Sequence, residues 1–265
     1  MSSFLSRLAV TAAGVPLVLG LAWEGGWWLL ALAAVAGMIA LHEFYALMRP
    51  LRPVVLAGYA GLILTLIGAS RGGSQWMVGG FLITLPIAFV LKGFGDTRAP
   101  VAVSVATTML GAGWVGLGLA HVLLLRRILE HGRLAVFTVL IAVFASDSAA
   151  YLAGRLVGRR RMAPTISPGK TWEGFFFGSA AAVFVAWIAL YRSGFMDGGR
   201  SFVLGVVIAL IGPIGDLFES ALKREMNVKD TGRLLAGHGG VLDRIDSLLF
   251  SAPAALYVIM AFGTT

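Results

Sequence analysis

An all-α bundle of about nine membrane-spanning helices is the fold this sequence predicts, and three observations predict it. Hydrophobic residues make up 58% of the 265 positions and charged residues only 13%. The apolar residues come in long runs, each near the ~20 residues needed to cross a bilayer. Short polar loops separate the runs, with no soluble domain, long linker or repeat between them, so 1–265 reads as a single membrane domain.

The runs fall at 8–23, 27–48, 54–70, 75–91, 101–125, 134–157, 173–191, 201–221 and 247–263. The first follows Arg7 and lacks a small-residue cleavage site, so it reads as a span rather than a signal peptide. The second ends at His42-Glu43, which reads as an interfacial pair. The third and fourth flank Arg71. The fifth carries Gly111, Gly113, Gly116 and Gly118, residues that allow close helix packing or a kink. The sixth contains Asp147, a carboxylate that is costly at membrane depth. The seventh follows SPGKTWEG, where Ser167-Pro168-Gly169 reads as a turn presenting Lys170. Glu173 there suits a helix N-terminus or a cation. The eighth is broken by Gly212-Pro213 and Gly215 just before Asp216, and Asp243 and Asp246 precede the ninth. Residues 1–130 thus supply apolar spans, and 134–265 supply spans plus the loops that carry chemistry.

The net charge is +8 and there are no cysteines. Disulfides and cysteine-held metals are excluded. The positive charge fits anionic headgroups, phosphorylated substrates and topology control, and nucleic acid is not expected. If nine spans start inside the cytoplasm, only Arg71, Arg126, Arg127, Arg133, Arg192 and Arg200 of the 21 Lys and Arg fall outside. The other fifteen lie inside, which sets that orientation by the positive-inside rule. Arg126, Arg127 and Arg133 are the main dissent.

Charge this dense in an apolar chain points to chemistry, and it gathers at Ser220–Asp246 and Ser146–Gly174. If Asp243 opens the last helix, the three-residue spacing puts it on one face with Asp246. With Asp216 they form an all-oxygen set suited to Mg²⁺ rather than zinc. The competing reading pairs these carboxylates with Lys223, Arg224 or Arg244, and lets Asp246 cap the helix. Lys170, Lys223, Arg224, Lys229, Arg233 and Arg244 are the candidates for phosphates, and membrane anchoring is the better reading for Arg233. The Gly-His-Gly-Gly turn at 237–240 offers Gly239 and Gly240 as an anion-binding nest. His238 in it suits phosphate binding or proton transfer, or a structural role. Gly-Lys-Thr at 169–171 lacks the upstream glycine of a P-loop. The four histidines are too scattered for a zinc set.

These residues resemble the phosphatidate cytidylyltransferase family, the CDP-diacylglycerol synthases. Ser220, Lys223, Arg224, Lys229, Asp230, Gly232, His238, Gly239, Gly240, Asp243, Arg244 and Asp246 match its C-terminal pattern, and Ala236 departs where Pro or Gly is usual. Ser146–Gly174 also looks like the family, while the first 130 residues match only as apolar spans. The resemblance implies a Mg²⁺-dependent enzyme of the cytoplasmic membrane that makes CDP-diacylglycerol and pyrophosphate from CTP and phosphatidate, with a second cation left open. It implies Asp216, Asp243 and Asp246 as metal ligands, with Lys223 and His238 beside them in catalysis. Lys170, Arg224, Lys229, Arg244, Gly239, Gly240, Asp147 and Ser167 then face the substrates. The bilayer is a partner, and a homodimer is compatible with the glycine-rich helices. A CTP-dependent prenol kinase, an ether-lipid CDP synthase and an ion-coupled transporter are the alternatives.

Overall fold

The computed structural model describes residues 3–95, 99–232 and 239–262, with side chains from residue 14 onward. Ten α-helices follow in order: α1 Ser3–Glu24, α2 Gly26–Leu47, α3 Val55–Leu82, α4 Thr84–Gly93, α5 Val101–Gly111, α6 Gly118–Arg126, α7 Gly132–Leu156, α8 Trp172–Leu190, α9 Gly198–Glu225 and α10 Leu242–Phe262. A short antiparallel pair, β1 Arg161–Ala163 and β2 Ser167–Thr171, joins α7 to α8. The all-α class holds. Among the described residues seven helical runs are long and apolar enough to cross a membrane, which makes this a multi-pass membrane protein.

Two expected spans, 54–70 and 75–91, fall in one of those runs, Val55–Gly93. The run is broken at Gly73, whose φ of 76° and ψ of −157° no helix accommodates. The backbone doubles back there within the short polar stretch Ser70–Gln75, which keeps helical hydrogen bonding on both sides of the break. A Cβ placed on Gly80 would lie 2.5 Å from the Leu64 carbonyl, and one on Gly68 would meet the Trp76 carbonyl. Such contacts are possible only where two helices touch through backbone.

By contacts the chain divides into two compact units, Met1–Arg127 with Met226–Ile245, and Ile128–Glu225 with Asp246–Thr265. In the first, Phe44 and Leu62 are fully buried, and Trp114 packs edge-on to Phe44 with centroids 6.0 Å apart. A six-residue π-helical stretch, Ala112–Leu117, joins α5 to α6. The glycines of the fifth run therefore serve both readings. Gly111 lies under the Phe44 and Tyr45 rings, where a Cβ would come within 2.6 Å of Phe44, and the helix widens just beyond it. Arg126 donates to the carbonyls of Ala22 and Trp23 at 3.0 and 2.9 Å. Arg127 donates to Ala69 and Ser70 at 2.7 and 2.8 Å. Both guanidiniums thus satisfy carbonyls that a helix end or a break leaves without partners.

The second unit holds α7, α8, α9, most of α10 and the β pair. Small residues bring these helices together. A Cβ on Gly178 of α8 would sit 2.8 Å from the Ser146 carbonyl of α7, and one on Gly215 of α9 would sit 2.5 Å from the Asp246 carbonyl of α10. The turn expected at Ser167-Pro168-Gly169 is instead part of β2, and the chain reverses at Pro164-Thr165-Ile166. Backbone pairing explains the shift, since Ala163 pairs with Ser167 and Arg161 with Thr171. Thr171 then caps α8, its hydroxyl accepting from the Gly174 N–H at 3.1 Å. Glu173 accepts from the backbone N–H groups of Arg159 and Arg160 at 3.1 and 3.2 Å, so it ties the Arg159–Arg161 run to α8.

Candidate active site

α9 spans 28 residues, or about 42 Å, longer than the hydrocarbon core. Its last turns carry Asp216, Glu219, Ser220, Lys223 and Arg224. Three features aim this end of the second unit. Gly215 lets α10 approach until the Asp246 backbone touches α9. Pro213 gives up an intrahelical N–H. Its own carbonyl accepts from Lys170 Nζ at 3.3 Å. The same ammonium forms an ion pair with Asp216 at 2.8 Å. Lys170 is therefore presented by a strand end.

Around this pair the second unit gathers more carboxylates. Asp147 on α7 feels the charges of Asp246, Asp216 and Lys170, and Ser247 Oγ donates to its Oδ1 at 3.4 Å. Asp246 is 6% exposed, and its Oδ1 accepts from the Ser247 N–H at 2.7 Å. Glu219, 1% exposed, contacts Asp246 and forms an ion pair with Lys223 at 3.1 Å. Ser220 Oγ donates to Asp216 Oδ1 at 3.3 Å. Four carboxylates and two lysines of the second unit thus lie on α7, the last turns of α9, the start of α10 and the end of β2. Burying charges of one sign without full compensation is expensive, and charged groups at membrane depth are candidates for a functional site.

A second polar cluster lies in the first unit. Asp243 opens α10, and its Oδ2 accepts from the Gly240 N–H at 2.7 Å and the Thr231 hydroxyl at 3.0 Å. Behind it, Glu43 of α2 accepts from the N–H groups of Val241 and Leu242 at 3.1 and 2.9 Å. Glu43 is 6% exposed, its carboxylate turned into the protein. Its neighbour His42 is exposed and bonds Tyr59 at 2.8 Å. Of the glycine turn, Gly239 and Gly240 lie within the described residues. Gly239 has φ 78°, but the N–H groups of 240, 241 and 242 are all given to the protein's own carboxylates.

The other sequence candidates are placed as follows. Ser167 is half-buried in β2. Arg224 is exposed, its Nε donating to the Ile166 carbonyl at 3.2 Å, where it props the β turn. Lys229 and Arg244 are exposed. His238 and Arg233 lie outside the described residues. Among the described residues no three His, Cys, Asp or Glu side chains form a ready metal cage. Asp216 and Asp246 share the second unit, while Asp243 is engaged in the first. Sequence reasoning missed Glu43 and Glu219. The signal available for Glu219 was its four-residue spacing to Lys223, an ion-pair geometry on a helix. Glu43 gave no local signal beyond a carboxylate at a span end.

The model of the cytidylyltransferase family matches residues 5–262. The phosphatidate cytidylyltransferase of Mycobacterium bovis is 36% identical over 251 residues, covering 86% of this chain and 79% of that protein. The Brucella suis enzyme of the same name is 32% identical over 272 residues, covering 98% and 94%. That of Bacillus subtilis is 31% identical over 237 residues, covering 86% and 87%.

Proposed function

The chain belongs to the cytidylyltransferase family, and from that premise we propose that it is a phosphatidate cytidylyltransferase, joining CTP and phosphatidate into CDP-diacylglycerol and pyrophosphate. The observation that carries the reading is the cluster of Asp147, Lys170, Asp216, Lys223 and Asp246 set into otherwise apolar helices, in a chain whose relatives bear that name. A lipid monoester and a nucleoside triphosphate are both polyanions, and a membrane cluster of lysines and carboxylates is the chemistry that brings them together.

In this mechanism a non-bridging oxygen of the lipid phosphate attacks the α-phosphorus of CTP. The bond to the α,β-bridging oxygen breaks, and pyrophosphate leaves with its electron pair. The attacking oxygen is already largely ionised at neutral pH, so no strong general base is needed. No covalent nucleophile is needed either: the Ser220 hydroxyl donates to Asp216, a carboxylate this scheme assigns to the metal ion and to Lys170. Lys170 and Lys223 neutralise charge on the substrates, and Arg224, Lys229 and Arg244 extend that field along the loops. Catalysis then reduces to positioning and charge compensation.

Asp216 and Asp246 would hold Mg²⁺, a hard ion that is commonly bound by one or two protein carboxylates together with substrate phosphates. The reading needs no three-ligand cage, and it is supported by the negative charge that Asp147 and Glu219 add beside Asp216 and Asp246. Bound there, the ion supplies charge neutralisation at the triphosphate and the leaving pyrophosphate. Asp243, its Oδ2 held by Thr231 and Gly240, shapes the turn before α10. The same reading puts the polar loops on the cytoplasmic side of the cytoplasmic membrane, where CTP is dissolved.

Purified chain incubated with phosphatidate and either α- or γ-labelled CTP tests the proposal. Transfer of the α label into a lipid, with the γ label released as pyrophosphate, is expected. Transfer of the γ label into lipid marks a kinase instead, and absence of labelled lipid overturns the assignment.

A further inference from the structure

We propose that Glu43, on α2, is a positioning residue for cytidylyl transfer: it seats the first turn of α10 by its backbone. The inference rests on the function proposed above. The first N–H groups of a helix have no intrahelical partner and are normally satisfied by the residue just before it. Here those of Val241 and Leu242 go to the Glu43 carboxylate, one to each oxygen, from 198 and 199 residues away. The positive end of the helix favours that negative charge, which is otherwise buried. Gly232 and Gly240 close around it. A Cβ on Gly240 would come within 2.5 Å of Glu43 Oε2 and 2.6 Å of Thr231 Oγ1, and one on Gly232 would strike Oε1. Two glycines of the family-like pattern are therefore needed so that a loop can fold onto a carboxylate of the protein itself.

Three consecutive N–H groups, 240 to 242, are committed to Asp243 and Glu43, and the Thr231 N–H also reaches Asp243 at 3.3 Å. The entry of α10 is thus set from α2. Asp246 follows one turn later on the same helix. Glu43 touches no reacting atom in this scheme. It acts by fixing a helix whose misplacement by about 1 Å is enough to cost on the order of a hundredfold in rate.

The test uses the full chain in lipid-detergent micelles as wild type, Glu43→Ala and Glu43→Gln. Amide hydrogen exchange is read on a peptide covering 241–249 and on a control peptide from α8, alongside kcat and KM for CTP and phosphatidate. In Glu43→Ala, exchange at 241–249 is expected to quicken at least about tenfold while the α8 peptide is unchanged. kcat should fall about tenfold to a hundredfold, with both KM values within about threefold of wild type. Glu43→Gln keeps one acceptor and should fall between; it carries the test if the alanine variant does not fold. Unchanged exchange, or quickened exchange with wild-type kcat, overturns the proposal. A fall in kcat matched by lost exchange protection in α8 marks general destabilisation and overturns it too. If the wild type makes no CDP-diacylglycerol, the proposed function falls, and the exchange arm still decides whether Glu43 holds the turn.

Discussion

At Lys170 a strand end, a helix break and a carboxylate meet, and the energetics of that meeting can be tested one atom at a time. The ammonium lies 2.8 Å from Asp216 and is mostly withdrawn from solvent, with 19% of its side chain exposed. If it serves substrate phosphates, Lys170→Ala should lower kcat/KM about tenfold to a hundredfold, the value of a charge-assisted hydrogen bond of about 1.5–3 kcal/mol. Lys170→Arg should restore only part, because a planar fork does not place its charge where an ammonium does. Steady-state titrations of CTP and phosphatidate check this, and wild-type constants for the alanine variant would refute it. Asp216→Asn removes both the ion-pair partner and the proposed metal ligand. Its expected loss is larger than the tenfold to hundredfold of an outer contact. Near-normal kcat at saturating Mg²⁺ would remove Asp216 from the metal site. Asp147 and Asp216 were legible because a charge inside an apolar run stands out against its neighbours, and Lys170 because the SPGKTWEG loop sets one cation just before a span. Glu43 was not, since its partners are backbone N–H groups nearly two hundred residues on, and no local pattern encodes that distance.

At the scale of the helices, small residues decide where side chains of the cluster arrive. Gly215 admits the α10 backbone beside Asp216, and Gly212 lies 3.2 Å, at its Cβ position, from Ser251 Oγ. Gly215→Val should therefore force α9 and α10 apart. Overpacking of this kind costs about 1–3 kcal/mol, and it should shift Asp246 relative to Asp216. A lowered melting temperature, together with a loss of kcat well beyond the fraction unfolded, is the expected pair of results. Full activity in a folded Gly215→Val protein would show that this crossing does not set the site. The long helices were readable from hydropathy, because each must bury its own backbone bonds in lipid. The β1–β2 pair was not, since strands of three and five residues carrying Pro168 and a basic run give no alternating pattern. The Gly73 hairpin was legible only as a gap between two runs. Its break comes from one glycine at φ 76° inside the polar stretch Ser70–Gln75.

For the whole molecule, the question left to the charges is which way the bundle faces. The basic residues gave a 15-to-6 excess for a cytoplasmic N-terminus, with Arg126 and Arg127 arguing against it. The structure gives both of those arginines another task. Each guanidinium is spent on carbonyls at the end of a neighbouring helix, at 3.5 Å or less. A cation engaged this way is a packing element, so its weight as a topology signal is small beside that of the exposed Arg155, Arg159, Arg160 and Arg161. Lys170, Lys223 and Arg224 on the near side are engaged in the same way, so the excess keeps its sign when both sets are put aside and an inside N-terminus is the orientation to test. A reporter fused after Thr265 should then behave as non-cytoplasmic, and one inserted at the exposed Pro164-Thr165 turn should behave as cytoplasmic. Agreement of both requires an odd number of crossings. A cytoplasmic signal at Thr265 with an unchanged one at Pro164 would mean an even number after the β pair, which would place the error in α8, α9 or α10. A cytoplasmic signal at Thr265 with a non-cytoplasmic one at Pro164 would move it to the N-terminal side, where the Gly73 hairpin and α1 are the two elements able to change the parity.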